Sequence, residues 1–365
     1  MNIGIVLNNE SNGLTGISKF VDATLEELLP LDKKNQYFCF RGKYKNSNLN
    51  KIHILCDSLN EKSYIESYDL TAYIHKIDII HSFFPPICGM NYSCQKILTI
   101  HDMIPLIHPE WYSKELYNYF NILIRESVEE ADKIITVSDY TKEQVIEFFN
   151  KPIDKVITIY PGLYQKMKYN EKVESEVKYC MSLGDYILFV STMNPRKNFE
   201  GLVEAYITFR ERYPLNHTKL VLVGKQGWGN VKINNLFHYE KYSDDIVMTG
   251  YVSDERLTHL YVHALSVAYV SFYEGFGLPI LEAMAAGKAV ICSNVTSMPE
   301  VGGDAVEYCN PYEIESILAA MESVILNDTR RKELEHKAIE QAKKFTFYKS
   351  AIKIMNIYND LASKQ

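Results

Sequence analysis

The sequence predicts an α/β protein with two parallel-sheet domains. Three observations point there. Short apolar runs alternate with helical periods along the chain, the pattern of strands buried on both faces and joined by crossover helices. Glycine-bearing loops join strand to helix at two places, Asn8 to Gly16 and Glu274 to Gly277. A stretch mixing glycine, lysine and glutamate, Pro161 to Asp185, separates two such series and reads as a linker. With 365 residues the chain is long enough for two cores.

In the first series, Ile3 to Leu7 is a short apolar strand and Ile17 to Leu29 an amphipathic helix. Gly13 and Gly16 in the loop between them would let the backbone approach a ligand closely. The loop lacks the full dinucleotide glycine fingerprint, so a plain strand-to-helix turn suits it too. Further strands are expected at Tyr37–Phe40, Ile52–Leu55, Ile79–His81, Ile97–His101, Lys133–Val137 and Val156–Tyr160, with helices at Lys114–Glu130 and Thr141–Phe149. Parallel sheets bind ligands beyond the carboxyl ends of their strands. One such end is Leu98-Thr-Ile-His101-Asp102-Met-Ile-Pro105, a His-Asp pair on a loop after a buried strand.

The second series opens with the strand Tyr186-Ile-Leu-Phe-Val-Ser191, followed by the turn Thr192-Met-Asn-Pro-Arg196-Lys197-Asn198. Adjacent Arg and Lys at such a turn suit diphosphate oxygens, one as a planar fork and the other as a point charge; a surface basic pair is the plainer reading. Leu220–Gly224 and Ile246–Val252 are further strands, with Ser253 or Asp254 capping Glu255–His263. Leu265 to Val270 leads into Glu274-Gly-Phe-Gly277. Pro279 then suits a first helical position, Ile280 to Ala286 continue the helix and Gly287 caps it. Backbone N–H groups around Gly277 and Leu278 have no intrahelical partner and lie at the positive end of the helix, which makes a phosphate site. Two carboxylates flank it, Glu274 before the turn and Glu282 in the first helical turn. Either would repel a phosphate it faced. Both are therefore read as accepting hydrogen bonds from hydroxyls on either side of a diphosphate, the layout of a nucleotide sugar. An ordinary strand–turn–helix, its Glu282 favouring the helix dipole, is the alternative. Tyr312 to Lys344 is helical by period, and Phe345 to Phe347 open a last helix reaching Leu361.

Glu274 and Glu282, separated by seven residues that open Gly-Phe-Gly-Leu-Pro, resemble the paired-glutamate motif of the retaining glycosyltransferases of family 4, which have the GT-B fold. Gly287-Lys-Ala-Val-Ile-Cys-Ser-Asn294 and Pro299-Glu-Val-Gly-Gly-Asp304 resemble the family's next segments, as do Thr15–Phe20, Thr99–Trp111, Ala131–Ser138 and Pro195–Asn198. The resemblance covers nearly the whole chain and is strongest over residues 97–111, 188–198 and 270–304. It implies two Rossmann-like domains facing a central cleft, 1–170 on the acceptor side and 171–345 on the donor side. A terminal helix, 346–365, would cross back to the first, with Phe347 where an aromatic is usual. It further implies retaining transfer of a hexose from a nucleoside-diphosphate sugar to a glycan hydroxyl. Glu274 and His101 become the catalytic candidates, with Asp102 able to orient His101. Lys197, Arg196, Gly16, Gly277 and Leu278 become donor-diphosphate ligands, and Phe276, Glu274 and Asp102 sugar ligands. Glu282 falls to the ribose, and the backbone at Tyr251 and Val252 to the nucleobase. Ser138 is an acceptor-side group or a helix cap. One departure matters: many members have Gly-Arg where this chain has Ser191-Thr192, so that Arg is not carried over. The His-Asp-Met-Ile-Pro and Pro-Arg-Lys-Asn segments look most like bacterial mannosyltransferases of surface-polysaccharide assembly. They favour GDP-mannose, ahead of UDP-glucose or UDP-N-acetylhexosamine, and a lipid-linked glycan acceptor. No Asp-x-Asp occurs, so no divalent metal or other cofactor is expected.

Composition removes other classes. With 47% hydrophobic and 23% charged residues the chain is globular, and a net charge of −7 argues against nucleic-acid binding. The seven cysteines are scattered without a Cys-x-x-Cys pair, which suits a reducing cytosol. The opening Met-Asn-Ile-Gly-Ile-Val-Leu has no charged n-region and long h-region, and no apolar run approaches a membrane span. A cytoplasmic location is expected, with any membrane contact peripheral; the mildly basic Arg41–Lys51 is a solvated loop or such a contact. An epimerase or hydrolase on the same architecture would turn over without acceptor. A non-catalytic partner would show degenerate glutamates or a broken glycine loop, and neither is seen. A dehydrogenase would need Gly-x-Gly-x-x-Gly with a distal acid, which is absent.

Overall fold

Apolar runs that no amphipathic face could accommodate become the inner strands of two sheets. The computed structural model describes residues 1–8, 16–42, 52–53, 75–87, 93–164, 173–225 and 240–362. The chain divides into two compact units, Met1–Tyr164 with Thr346–Gln365, and Gln165–Phe345.

The first unit runs β1 (Asn2–Asn8), α1 (Gly16–Leu31), β2 (Gln36–Gly42), β3 (Ile52–His53), β4 (Ile79–Ser82), β5 (Gln95–Ile100), α2 (Ile104–Ile107), α3 (Lys114–Glu130), β6 (Lys133–Thr136), α4 (Asp139–Phe149) and β7 (Val156–Thr158). Among the described residues its sheet has the order β3-β2-β1-β4-β5-β6-β7. The pairings are parallel except at one edge, where the two-residue β3 lies antiparallel to β2, a departure from the expected all-parallel sheet. Ile3, Ile5, Ile80, Ile97, Leu98 and Ile135 are fully buried between the helical layers.

The second unit runs α5 (Glu174–Leu183), β8 (Tyr186–Val190), α6 (Phe199–Arg212), β9 (Lys219–Val223), β10 (Ile246–Gly250), α7 (Asp254–His263), β11 (Ser266–Tyr269), α8 (Leu278–Ala285), β12 (Ala289–Ser293), α9 (Met298–Gly302), β13 (Glu307–Cys309), α10 (Ile314–Ile325) and α11 (Asp328–Ala342). Its sheet is parallel in the order β10-β9-β8-β11-β12-β13. In both units the strand order reverses beside the first strand, between β1 and β4 and between β8 and β11. Open α/β sheets bind ligands at that switch point.

Two expectations need correction here. The presumed linker Pro161–Asp185 contains α5, a helix with Cys180 and Leu183 buried that packs on α7 and is tied to it by a forked ion pair, Arg256 Nε and Nη2 to Glu176 at 2.6 and 2.9 Å. Its exposed side mixes charged and apolar residues, which hid the amphipathic pattern. The helical period over Tyr312–Lys344 is broken at Leu326-Asn327, because the Asn327 side chain accepts the Arg330 N–H at 3.0 Å and starts a new helix.

The last helix, α12 (Phe347–Ala362), belongs to the first unit and packs on α1. Phe347 meets Phe20 edge-on at 5.9 Å, and Ser350 Oγ donates to the Tyr160 carbonyl at 2.7 Å. Tyr358 Oη lies 2.7 Å from Nδ1 of His81, whose Nε2 is 2.8 Å from Thr99 Oγ1 and whose ring stacks on Phe83. Among the described residues no helix is long and apolar enough to cross a membrane.

Burial, aided by the neighbouring His101, holds the His81 imidazole down at about 3. The unfolded chain titrates near the ordinary histidine value, so between these two values it binds more protons than the folded chain. The contribution of neutral His81 is therefore complete above about pH 6.5 and is lost as pH falls towards about 3. Urea denaturation of the first unit should show a midpoint falling from pH 7 to pH 5, and His81→Gln should make that fall shallower. An unchanged slope would exclude His81 as its source.

Candidate active site

The switch point of the second sheet gathers the strongest sequence candidates. Past β8 the chain extends the sheet briefly, Ser191 N–H bonding the Val223 carbonyl at 2.9 Å, before a 3-10 turn over Pro195–Lys197. Asn198 ends that turn in the left-handed region (φ 53°) and donates from Nδ2 to the Pro311 carbonyl at 2.7 Å. The Phe272 N–H bonds the Arg196 carbonyl at 2.8 Å, which ties this turn to the loop after β11.

Glu274 stands at the centre. Its Oε2 accepts from Arg196 Nη1 at 2.8 Å and its Oε1 from Lys197 Nζ at 2.5 Å. Arg196 also donates to the Tyr273 carbonyl at 3.1 Å, and Lys197 to Tyr269 Oη at 2.7 Å. The Glu274 and Lys197 side chains are only 7% and 9% exposed. Burial pushes the Glu274 carboxyl up, but the charges of Arg196 and Lys197 outweigh it and hold the group at about 2. Glu274 is thus ionised throughout the physiological range, and each of its oxygens is held by a cation. Two cations and one anion leave the cluster with one net positive charge.

The loop that carries Glu274 is pinned from behind. Its N–H donates to Thr296 Oγ1 at 3.2 Å, while Ser297 Oγ donates to the carbonyls of Glu274 and Phe276 at 2.9 and 3.1 Å. Thr296 adopts φ 58°, a strained conformation for a β-branched residue. Gly277 has φ 107°, and a Cβ there would meet Ile280 Cδ1 at 2.9 Å. Among the described residues no side chain caps the start of α8; Pro279 has no N–H and the Ile280 N–H bonds the Gly277 carbonyl at 3.0 Å, which leaves the Leu278 N–H facing outward from the helix start. Leu278 is the first helical residue and Pro279 the second, one place later than the sequence suggested. Glu282 is accordingly the fifth, beyond the first turn where it was expected, and accepts from Tyr261 Oη at 2.9 Å. Gly287 ends the helix as expected. It has φ 70°, with its N–H on the Met284 carbonyl and that of Lys288 on Ala283. The Phe276 ring is buried and meets Phe345 in a T-shaped arrangement with centroids 5.7 Å apart. After β10, Tyr251 is 67% exposed beneath Lys225 Nζ, 4.7 Å from the ring centroid, and Val252 is half-buried beside it.

In the first unit, His101 follows β5 and donates from Nε2 to the Phe83 carbonyl at 2.9 Å, with Phe20 edge-on at 5.2 Å. Burial lowers its imidazole to about 4, against the opposing pull of the Phe83 carbonyl. The ring is neutral, and Nδ1 keeps its lone pair. Asp102 does not orient it: Asp102 Oδ1 accepts the Ile104 N–H at 3.1 Å at the start of α2, so neighbours in sequence point apart. Ser138 is a helix cap, accepting from the Thr141 N–H at 3.1 Å. Gly16 opens α1; the loop before it, with Gly13, lies outside the described residues, as does most of Arg41–Lys51. Sequence reasoning did not find Tyr261, Tyr269, Thr296 or Ser297. A tyrosine among the apolar residues of Leu265–Val270 was the one signal present. Among the described residues no three His, Cys, Asp or Glu side chains gather to hold a metal.

Two Rossmann-like units, one with an ionised glutamate clamped by a basic pair before an uncapped helix, describe a glycosyltransferase of the GT-B fold. The chain belongs to glycosyltransferase family 4: the family Glycosyl transferases group 1 matches residues 183–345, and Glycosyltransferase Family 4 matches residues 43–164. O-antigen chain mannosyltransferase B of Escherichia coli is 36% identical over 271 residues, 72% of this chain and 69% of that protein. The serotype-specific mannosyltransferase WbdA of Escherichia coli is 31% identical over 272 residues, but the match spans only 33% of its length. Among solved structures, sucrose-phosphate synthase from Thermosynechococcus elongatus superposes with a TM-score of 0.74 at 18% identity, covering 100% of both chains. Anabaena Alr3699/HepE in complex with UDP and glucose gives 0.74 at 15%, covering 99% of this chain and 100% of that one. The GT-B fold and the glycosyltransferase activity expected from the sequence are borne out.

Gly277→Ala should place Cβ against Ile280 in a backbone region that disfavours it, costing about 1–3 kcal/mol. Thermal unfolding should read this as a lower Tm, and nucleotide titration as weaker binding. A variant with unchanged Tm would show that the turn relaxes freely.

Proposed function

We propose that the protein transfers mannose from GDP-mannose to a hydroxyl of a lipid-linked glycan, with retention, during surface-polysaccharide synthesis on the cytoplasmic side of a membrane. The observation that carries the donor half is the Arg196–Glu274–Lys197 cluster beside the uncapped start of α8. Its net positive charge and the open N–H groups of Gly277 and Leu278 suit a diphosphate. The mannosyl half is supported by the 36% identity to a protein named as an O-antigen chain mannosyltransferase.

In this reading Lys197, Arg196 and the backbone at Gly16, Gly277 and Leu278 receive the diphosphate. Glu282 accepts the ribose hydroxyls, and the loop at Tyr251 and Val252 meets the base. His101, Asp102, the backbone at Phe276 and the Glu274 loop contact the transferred sugar. The bond from the anomeric carbon to the diphosphate oxygen breaks, and the departing electron pair is stabilised by Lys197, Arg196 and the helix start. The acceptor oxygen attacks from the same face, and its proton passes to the departing phosphate. Glu274, held at about 2 with both oxygens bound to cations, is suited neither to carry that proton nor to act as nucleophile. Its role is to fix the two cations and the local field. The reaction needs no divalent metal, because protein cations supply the charge.

A titration panel of GDP, UDP, GDP-mannose, UDP-glucose and UDP-N-acetylglucosamine, with and without chelator, tests this. Selective stabilisation by the guanine pair, unchanged by chelator, is expected. Selection of the uracil set would move the donor to a UDP-sugar, and no response to any would remove the donor site. Glu282→Ala should weaken nucleotide binding by about 1.5–3 kcal/mol, the worth of hydrogen bonds to a charged group, as read by calorimetry. Glu274→Ala should chiefly lower turnover in a radiolabelled-sugar transfer assay; near-full turnover would take Glu274 out of the mechanism.

A further inference from the structure

Each glutamate of the pair has a buried tyrosine hydroxyl beside it, bonded directly to Glu282 and, through Lys197, to Glu274. Tyr261, in α7, donates to Glu282 Oε2 at 2.9 Å. Tyr269, at the end of β11, accepts from Lys197 Nζ at 2.7 Å, is a hydrogen-bond neighbour of the Glu274 carboxylate, and keeps the Lys197 ammonium 4.9 Å from its ring centroid. Both side chains are among the largest that the protein buries completely. Burying a hydroxyl costs free energy unless it is bonded, and phenylalanine would fill either space without that cost. The partners that repay it are members of the proposed donor site. Burial together with Glu274 raises the Tyr269 phenol well above 10, and burial together with Glu282 does the same for Tyr261. Both therefore keep their protons. Tyr261 can only donate to its carboxylate, and Tyr269 accepts from the ammonium.

We infer that Tyr261 and Tyr269 are positioning residues of the transfer reaction, Tyr261 fixing the Glu282 carboxylate for the donor ribose and Tyr269 fixing the Lys197–Glu274 pair for the departing diphosphate. The inference rests on the donor-site reading above and divides the two tyrosines by kinetic role. Tyr261 acts through a group that contacts a part of the donor that does not react. Tyr269 acts through groups whose interaction grows as charge builds on the leaving oxygen.

The test is a pair of double-mutant cycles on the full chain, with GDP titrated by calorimetry and sugar transfer from GDP-mannose measured for kcat and KM; UDP and its sugar replace them if the panel selects uracil. Tyr261→Phe should weaken nucleotide binding about tenfold with kcat within about twofold, and should add less than about twofold on a Glu282→Gln background. Tyr269→Phe should lower kcat about tenfold with nucleotide affinity within about threefold, and should add little on a Glu274→Gln background. Ligand-free Tm values and far-UV spectra of all variants confirm folding. Tyrosine effects that are fully additive with the glutamate effects, or equal losses in kcat and affinity for both tyrosines, would mean a packing role and overturn the inference. Glu282→Gln with unchanged nucleotide affinity would instead overturn the ribose assignment, and the Tyr261 half with it, leaving the Tyr269 cycle to decide the other half. Glu282→Gln weakening binding while Tyr261→Phe does nothing would overturn the Tyr261 role alone.

Discussion

A carboxylate with 7% of its side chain exposed cannot stay ionised alone, and the second unit is arranged around that constraint. Glu274 needs a cation on each oxygen; Lys197, equally buried, needs an anion and a further acceptor. Neither loop could bury its own charges separately. The turn after β8 and the loop after β11 must therefore meet, and they do so across the two strands that flank the reversal in strand order. The Phe272–Arg196 backbone bond and the bonds from Thr296 and Ser297 hold the geometry that the charges demand. A buried ion cluster of this kind is weak evidence for added stability. In the proposed transfer its value lies in being already assembled and buried before a ligand arrives, so that little reorganisation is needed when charge develops.

The cluster and the start of α8 act in the same direction. Gly277 turns the chain so that the helix begins without a capping side chain, and Pro279 removes one N–H that would otherwise compete for satisfaction. The result is a positive helix end on the loop that carries Glu274, beside the net positive charge of the Arg196–Glu274–Lys197 cluster. Glu282 avoids this field by lying past the first turn, where a hydroxyl rather than a phosphate is its natural partner. His101 in the other unit follows a different logic. It is kept neutral by burial and fixed by a carbonyl, so that its remaining nitrogen offers a lone pair.

The strand pattern was legible because parallel strands buried on both faces must be continuously apolar, and the runs at Ile79–His81, Ile97–His101 and Tyr186–Ser191 had no other use. The glutamate loop was legible because glycine, proline and acid occur there in an order that serves strand exit, left-handed turn and helix start together. What stayed hidden was of two kinds. α5 is short, mixes charged and apolar residues on its exposed side, and is held by Arg256–Glu176, a contact between residues far apart in sequence. The partners of functional groups were hidden for the same reason. Nothing near His101 in sequence marks the Phe83 carbonyl, and nothing near Glu274 marks Ser297. Asp102 shows the converse: adjacency suggested a pair, but successive side chains diverge and the acid was taken by the next helix start.

The last helix gives the two units different histories during synthesis. Residues 165–345 form a contiguous unit whose sheet is complete once β13 and its covering helices have been made. The first unit is interrupted. Its sheet can pair early, but the cover for α1 and the Tyr358 hydroxyl that meets His81 are encoded after the second unit. A ribosome must therefore translate the whole second unit while the first still shows water an apolar helix face and a buried histidine short of one partner. Maturation of the unit made first waits for a helix made after the second, so emergence of α12, rather than of either sheet, completes the first unit.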